Sequence, residues 1–207
     1  MGVPHAGLWL AEKPLILASR SESRRAVLAA AALAVEVLPA DVDERAIEAD
    51  AADKSPGAVA RLLAGAKALA ISTRYPERLV LGADQTLGLG ARLFAKPADL
   101  AAARAQLQAL RGHTHTLHSA IALARNGTIV FAHCETAALT MRGFSDRFLD
   151  VYIETARSAV TESVGGYQVE RAGIQLFERI DGDHFTILGL PLLPLLGYLR
   201  DVGYLEK

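Results

Sequence analysis

Two groups of side chains in this sequence are of types that act together on anions. The first is the run Ser19-Arg-Ser-Glu-Ser-Arg-Arg25, which carries Arg20, Arg24 and Arg25 around a cluster of hydroxyls. Guanidinium forks match phosphate oxygens in shape and charge. The second is a set of carboxylates, with Asp41, Asp43 and Glu44 within four residues and Asp84 standing apart. Carboxylates hold Mg²⁺ or Mn²⁺, or take a proton from water. Lys67 and Lys96 are further cations for a phosphate, although a single lysine is more often solvated surface. Each group also has a plainer reading: a basic turn with Ser21 as a helix cap, an exposed acidic loop, and Asp84 as a turn cap.

The elements around these residues decide between the readings. Leu15-Ile-Leu-Ala18 reads as a short buried strand, and an Ala/Leu helix is expected from about Glu22 to Leu33. The basic run therefore sits where a strand turns into a helix. Unpaired N–H groups and the helix dipole favour an anion there, while cations in the first turn oppose the dipole. Val35-Glu-Val-Leu38 is a second strand, leading to Pro39 and the acidic loop. A helix is predicted over Pro56 to Ser72, with Pro56 suited to its first turn. Leu79-Val-Leu-Gly82 is a third strand, with Asp84 at its C-terminal end, where open α/β sheets bind ligands.

Further on, Asp99 caps a helix that stops at Gly112. Thr114 to Ala124 and Thr128 to Thr140 form a hairpin about Asn126-Gly127. Ser145 caps a helix to about Arg157, Gln175 to Ile180 is a strand, and Pro191 to Val202 is a last helix. Strands and helices alternate, so the class is α/β with a mixed sheet.

Composition limits the alternatives. The chain has 207 residues, 51% hydrophobic and 22% charged, and fits one domain or two small lobes. Disordered and low-complexity classes are excluded. Lys+Arg number 22 against 23 Asp+Glu, which argues against a long nucleic acid as partner. The apolar run Ala26 to Val35 is ten residues, and Leu188 to Leu199 is broken by Pro191, Pro194 and Gly197. A membrane span needs roughly 18 apolar residues. Met1 to Ala6 lack the features of a signal peptide or a myristoylation site, so a cytoplasmic protein without membrane partners is expected.

Other motifs are weaker. His113-Thr-His-Thr-Leu-His118 has a zinc-like look, but on a strand His118 points away from His113 and His115. Cys134 is the single cysteine and carries no nucleophile signature. There is no Walker A sequence, no G-x-S-x-G elbow and no complete dinucleotide fingerprint after Gly88-Leu-Gly90.

Taken in order along the chain, the motifs resemble one family. Leu15-Ile-Leu-Ala-Ser-Arg-Ser-Glu-Ser-Arg-Arg25 resembles the opening signature of the Maf nucleotide pyrophosphatases. Pro39-Ala-Asp-Val-Asp-Glu44 resembles the family's acidic motif, and Leu81-Gly-Ala-Asp-Gln85 its central aspartate motif. Ala95-Lys-Pro97, Leu110-Arg-Gly-His-Thr-His115, Gly165-Gly-Tyr167, Leu176-Phe-Glu-Arg-Ile-Asp-Gly182 and Leu188-Gly-Leu-Pro-Leu192 match later blocks. The resemblance spans about Leu15 to Val202, after an N-terminal extension of about 1–13.

The resemblance implies an α/β fold like that of ITP pyrophosphatases, a single domain with an elongated mixed sheet, helices on both sides and two lobes around a cleft. It implies hydrolysis of a nucleoside triphosphate to monophosphate and pyrophosphate with a divalent metal, Mg or Mn. It also implies a homodimer, a cytoplasmic location and a link to septum formation. By matching position, Asp84 is the general base, and Ser19, Arg24, Arg25, Lys67 and Lys96 bind phosphate. Glu44 and Asp84 face the metal. The spacing from Ser21 to Arg24, Gln85 after Asp84, and Glu170 resemble the 7-methyl-GTP pyrophosphatase branch. There Ser23, Gln85 and Glu170 would select the base, with Glu170 favouring a cationic methylated guanine and Gln85 hydrogen-bonding a base edge.

Three residues depart from the family: Ser23 stands for a bulky aromatic, Glu22 for a proline and Ala66 for a glutamate. The alternatives are a pyrophosphatase for dTTP and UTP, a nucleotide-binding septum regulator with little catalysis, and a zinc hydrolase built on the histidines.

Overall fold

The structure is a computed structural model that describes residues 7–207. Met1 to Ala6, on which the leader-peptide reading rests, lie outside the described residues. Among the described residues, seven strands form one mixed sheet: β1 (Leu15–Leu17), β2 (Val35–Val37), β3 (Val80–Leu89), β4 (Arg92–Phe94), β5 (Thr114–Arg125), β6 (Thr128–Met141) and β7 (Phe177–Asp181). The order is β2-β1-β3-β5-β6-β7, with β4 pairing β3. The pairs β1–β2 and β1–β3 are parallel, and the others are antiparallel. This is the expected mixed α/β class.

Among the described residues, eight α-helices cover the sheet: α1 (Glu22–Ala30), α2 (Glu44–Asp50), α3 (Pro56–Ser72), α4 (Leu100–Leu110), α5 (Asp146–Ala156), α6 (Ala159–Glu162), α7 (His184–Ile187) and α8 (Leu192–Asp201). Among the described residues, no helix is long and apolar enough to cross a membrane.

Strand β3 organises the interior because its alternate residues face different layers. Gly82, Asp84, Thr86 and Gly88 face α3. The Thr86 hydroxyl donates to the carbonyl of Pro56 at 2.8 Å. A Cβ on Gly82 would lie 2.1 Å from the carbonyl oxygen of Ala64, so only glycine lets α3 approach this closely. An alanine layer fills the contact: Ala60, Ala64 and Ala68 against Ala120, Ala122 and Ala124.

On the opposite face lie two cores. Leu81 and Ala83 join Leu15, Leu28, Leu195 and Leu199 in the first. Leu87 joins Leu107, Leu117, Leu139, Leu149 and Tyr167 in the second. Gln85 falls between them, so the seam between the two halves is polar at this point. The described part of the N-terminal extension belongs to the first core. Trp9 is buried there and bridges to Leu205.

Three sequence expectations need correction. Asp84 does not end a strand. β3 continues to Leu89 because Thr86 and Gly88 keep the α3-facing alternation while Leu87 fills the second core. The acidic segment is a loop only as far as Asp43: Asp43 caps α2, its carboxylate accepting from Ala46 N–H at 3.0 Å, and Glu44 is that helix's first residue. Helix α1 stops at Ala30 rather than Leu33, with Ala32 turning the chain at positive φ.

Candidate active site

The neighbours of β3 leave a gap on one side. β1 pairs with Val80 and Leu81, and β4 pairs with Leu87 to Leu89. The intervening residues 82–86 have no strand partner on that edge. Asp84 thus lies at a notch in the sheet although it is not at a strand end. The turn from β1 into α1 packs against this notch.

Ser19 and Arg24 bind that turn to β3. Arg24 is buried. Its Nη1 donates to the carbonyl of Ala83 at 2.8 Å and to Ser19 Oγ at 3.1 Å, and its Nε donates to the carbonyl of Gly189 at 2.8 Å. Ser19 Oγ also accepts from Ser21 N–H at 3.3 Å, and Ser21 caps α1 through Arg24 N–H. Burial lowers the Arg24 pKa from its ordinary value, and the negative charges of Asp84 and Glu44 oppose that shift. The remaining donors, on Nη2, are free for an anion among the described residues.

Lys67 comes from α3. It is buried, and its Nζ lies 2.6 Å from Asp84 Oδ1 and 2.7 Å from Glu44 Oε1. The solvated-lysine reading therefore fails for Lys67. Burial raises the Asp84 pKa above the usual carboxylate value. Lys67 and Arg24 pull it back, and Glu44 adds to the rise. A carboxylate of raised basicity, held through one oxygen, keeps Oδ2 for a proton.

The oxygens of Glu44 and Asp84 converge on the Lys67 ammonium, so the two carboxylates are close neighbours, and a metal ion at their meeting point would take the place that Nζ now holds. Hard oxygen donors suit Mg²⁺ or Mn²⁺. Among the described residues, no group of three or more metal-ligating side chains is close enough to hold an ion alone. Mg²⁺ is commonly held by one or two carboxylates plus substrate phosphates, so the donor pair fits that cofactor.

A second cluster lies at the seam. Ser23 Oγ donates to Glu170 Oε1 at 3.3 Å across 147 positions of sequence. Gln85 Nε2 donates to Ser119 Oγ at 2.9 Å and to the carbonyls of Thr186 and Ile187 at 3.1 and 3.0 Å. Its amide protons are thus committed, and only Oε1 is left, as an acceptor.

The other expected residues stand apart. Arg25 is exposed and pairs with Glu22 at 2.5 Å. Lys96 is exposed, two residues beyond β4, and makes no ion pair among the described residues. Arg20 is also exposed. The three histidines diverge: His113 Nδ1 lies 2.9 Å from the carbonyl of Arg111, His115 is buried against Tyr167, and His118 borders Gly57 on the α3 side. Glu48 is the residue sequence reasoning missed. Burial raises its pKa, and Asp84 and Glu44 add to the rise. Its i, i+4 spacing from Glu44 was the available signal, hidden because the segment read as a loop.

Known proteins are similar to this chain in sequence over most of its length. The family described as Maf-like protein matches residues 14–202. A nucleoside triphosphate pyrophosphatase of Rhodopseudomonas palustris (strain BisB18) is 54% identical over 193 residues, 93% of this chain and 96% of that protein. A 7-methyl-GTP pyrophosphatase of Rhizobium etli is 50% identical over 194 residues, 93% of this chain and 98% of that protein. A solved HAM1 protein from Coxiella burnetii aligns over 61% of this chain and 72% of its own, at 18% identity and a TM-score of 0.42.

Proposed function

This chain belongs to the Maf-like protein family, and from that premise we propose that it is a nucleoside triphosphate pyrophosphatase, releasing the monophosphate and pyrophosphate. The observation that carries the reading is Asp84: a buried carboxylate in a sheet notch, tied to Lys67 and flanked by Arg24.

In this mechanism water attacks the α-phosphorus while Asp84 Oδ2 takes its proton. The new P–O bond forms as the bond to the bridging α–β oxygen breaks, and pyrophosphate leaves with that electron pair. Arg24 Nη2 and Lys67 neutralise charge on the phosphates, the term phosphoryl transfer depends on most. Ser19 fixes the Arg24 fork. Arg25 and Lys96 turn from solvent toward the outer phosphates. Glu44 and Asp84 would hold the divalent cation, which supplies further charge neutralisation on the phosphate oxygens.

The proposed substrate is 7-methyl-GTP or a similar modified nucleotide. Glu170 favours a cationic base, Ser23 leaves room beside it, and Gln85 Oε1 accepts from a base N–H. The same reading carries a single-domain cytoplasmic homodimer with no long nucleic acid as partner.

The test is pyrophosphate release from a panel of natural and methylated nucleoside triphosphates, with Mg²⁺ and with Mn²⁺. The expected order places 7-methyl-GTP above GTP, dTTP and UTP. A preference for dTTP and UTP overturns the substrate assignment. Nucleotide binding without pyrophosphate release overturns the enzymatic one.

A further inference from the structure

The buried pair His115–Tyr167 lies in the second core, away from the phosphate site. His115 is 1% exposed, and its Nε2 lies 2.7 Å from the Tyr167 hydroxyl. Among the described residues no other side chain satisfies this ring, and its Nδ1 is buried without a partner. A polar pair is a poor choice for filling a core, because an unpaired buried donor or acceptor is expensive. Such a pair is explained best by what it holds in place.

Tyr167 stands at the start of the segment that carries Glu170. The preceding Gly165 and Gly166 have φ of 80° and 75°. A Cβ at Gly165 would lie 2.6 Å from Leu87 and 2.7 Å from the Tyr167 ring, so this double-glycine kink folds the tyrosine back over β3. Tyr152 donates to the carbonyl of Gly166 at 3.0 Å, and Ser163 to the carbonyl of Tyr167 at 2.6 Å. Past Tyr167 the chain turns through Gln168, whose carbonyl accepts from Arg171 N–H at 3.2 Å. Glu170 then emerges to meet Ser23. The side-chain anchor of this segment inside the sheet is the hydrogen bond to His115 on β5.

We propose that His115 and Tyr167 are positioning residues for base selection: their hydrogen bond fixes residues 164–173 so that Glu170 stands opposite Ser23 at the seam. The pair touches no substrate atom, and it acts through Glu170. The proposal rests on Glu170 selecting the base, so its test separates the two claims.

The variants are Tyr167→Phe, His115→Leu, His115→Gln and Glu170→Gln. For each, kcat and KM are measured with 7-methyl-GTP and GTP, and amide hydrogen exchange is followed over residues 164–173. Tyr167→Phe keeps the ring and removes only the hydroxyl. It is expected to raise KM for 7-methyl-GTP by about fivefold or more, the scale of one buried hydrogen bond, with kcat within about twofold. The 7-methyl-GTP/GTP ratio of kcat/KM falls toward that of Glu170→Gln, and exchange in the segment quickens. His115→Leu behaves alike, while His115→Gln, whose amide can reach the hydroxyl, recovers much of the ratio. If Tyr167→Phe loses only thermal stability and keeps the ratio that Glu170→Gln loses, positioning is refuted and base selection stands. If Glu170→Gln itself keeps the ratio, base selection fails and the proposal fails with it.

Discussion

His115 makes the stability of this fold depend on acid in a calculable way. It is 1% exposed, and burial lowers its pKa from 6.5 to about 4. The aromatic groups packed on the ring are Tyr167, whose own pKa is pushed well above 10, and Phe177, and burial is the cause of the shift, with no charged group contributing to it. Between pH 6.5 and 4 the unfolded chain protonates this histidine and the native chain does not. Stability is therefore complete above about pH 6.5 and falls as pH drops toward 4. At 1.36 kcal/mol per unit, the loss is about 2 kcal/mol by pH 5 and about 3 kcal/mol by pH 4. Urea unfolding followed by circular dichroism at pH 7 and pH 5 measures it. His115→Gln removes the titrating group while leaving every other histidine and carboxylate in place. Wild type is expected to lose about 2 kcal/mol more than the variant between the two pH values. An equal loss in both would mean that His115 takes a proton without unfolding, and the argument from burial would be wrong.

Other predictions concern the proposed site. Asp84→Asn should lower pyrophosphate release by about 10²–10⁴-fold, the range for a general base, while circular dichroism shows a retained fold, since the amide oxygen still accepts from Lys67. Lys67→Met leaves Asp84 buried without its nearest cation and should cost about 3–5 kcal/mol near pH 8. That loss shrinks as pH falls, because the native carboxyl, already raised in pKa, protonates before the unfolded one; urea unfolding at pH 8 and pH 5 reads the difference. Arg24→Lys cannot reproduce the fork to Ala83, Ser19 and Gly189, so thermal melts should show a loss of about 2 kcal/mol and assays a raised KM.

Much of the fold was legible because its elements are periodic and well capped. Helix α3 matched its predicted limits, Pro56 and Ser72, and the hairpin turned at Asn126-Gly127. The errors arose where tertiary packing overrides local signal. Gly82 looked like a strand end, yet it is the point where α3 presses on β3. Asp43-Glu44 looked like loop chemistry, yet Asp43 is a cap and Glu44 opens a short helix. Residue types around Asp84, Glu44, Arg24 and Ser19 pointed to the site. That Lys67 bridges two carboxylates did not follow from the sequence, because it depends on how closely the alanine layer lets α3 approach. The Ser23–Glu170 contact was similarly hidden, since its partners stand 147 positions apart in the sequence.

The unequal burial of the cations bears on how they would act. Arg24 and Lys67 are buried with Asp84, and Glu44 closes the cluster, so two cations face two carboxylates. That arrangement stays near neutrality, which is what allows charges to be buried at all. On the proposed function, a triphosphate would bring several negative charges that this balanced cluster cannot neutralise alone. The additional positive charge would then come from a metal and from groups whose present interactions are weak. Arg25 fits that requirement: its pair with Glu22 is solvent-exposed and worth little, so a phosphate oxygen can replace the carboxylate at small cost. Lys96 is exposed and without an ion-pair partner among the described residues, and it meets the same condition. The near-zero net charge of the whole chain is thus compatible with a phosphate site, because the charges of the cluster, three buried and Glu44 at its exposed edge, cancel and the rim cations are held in reserve.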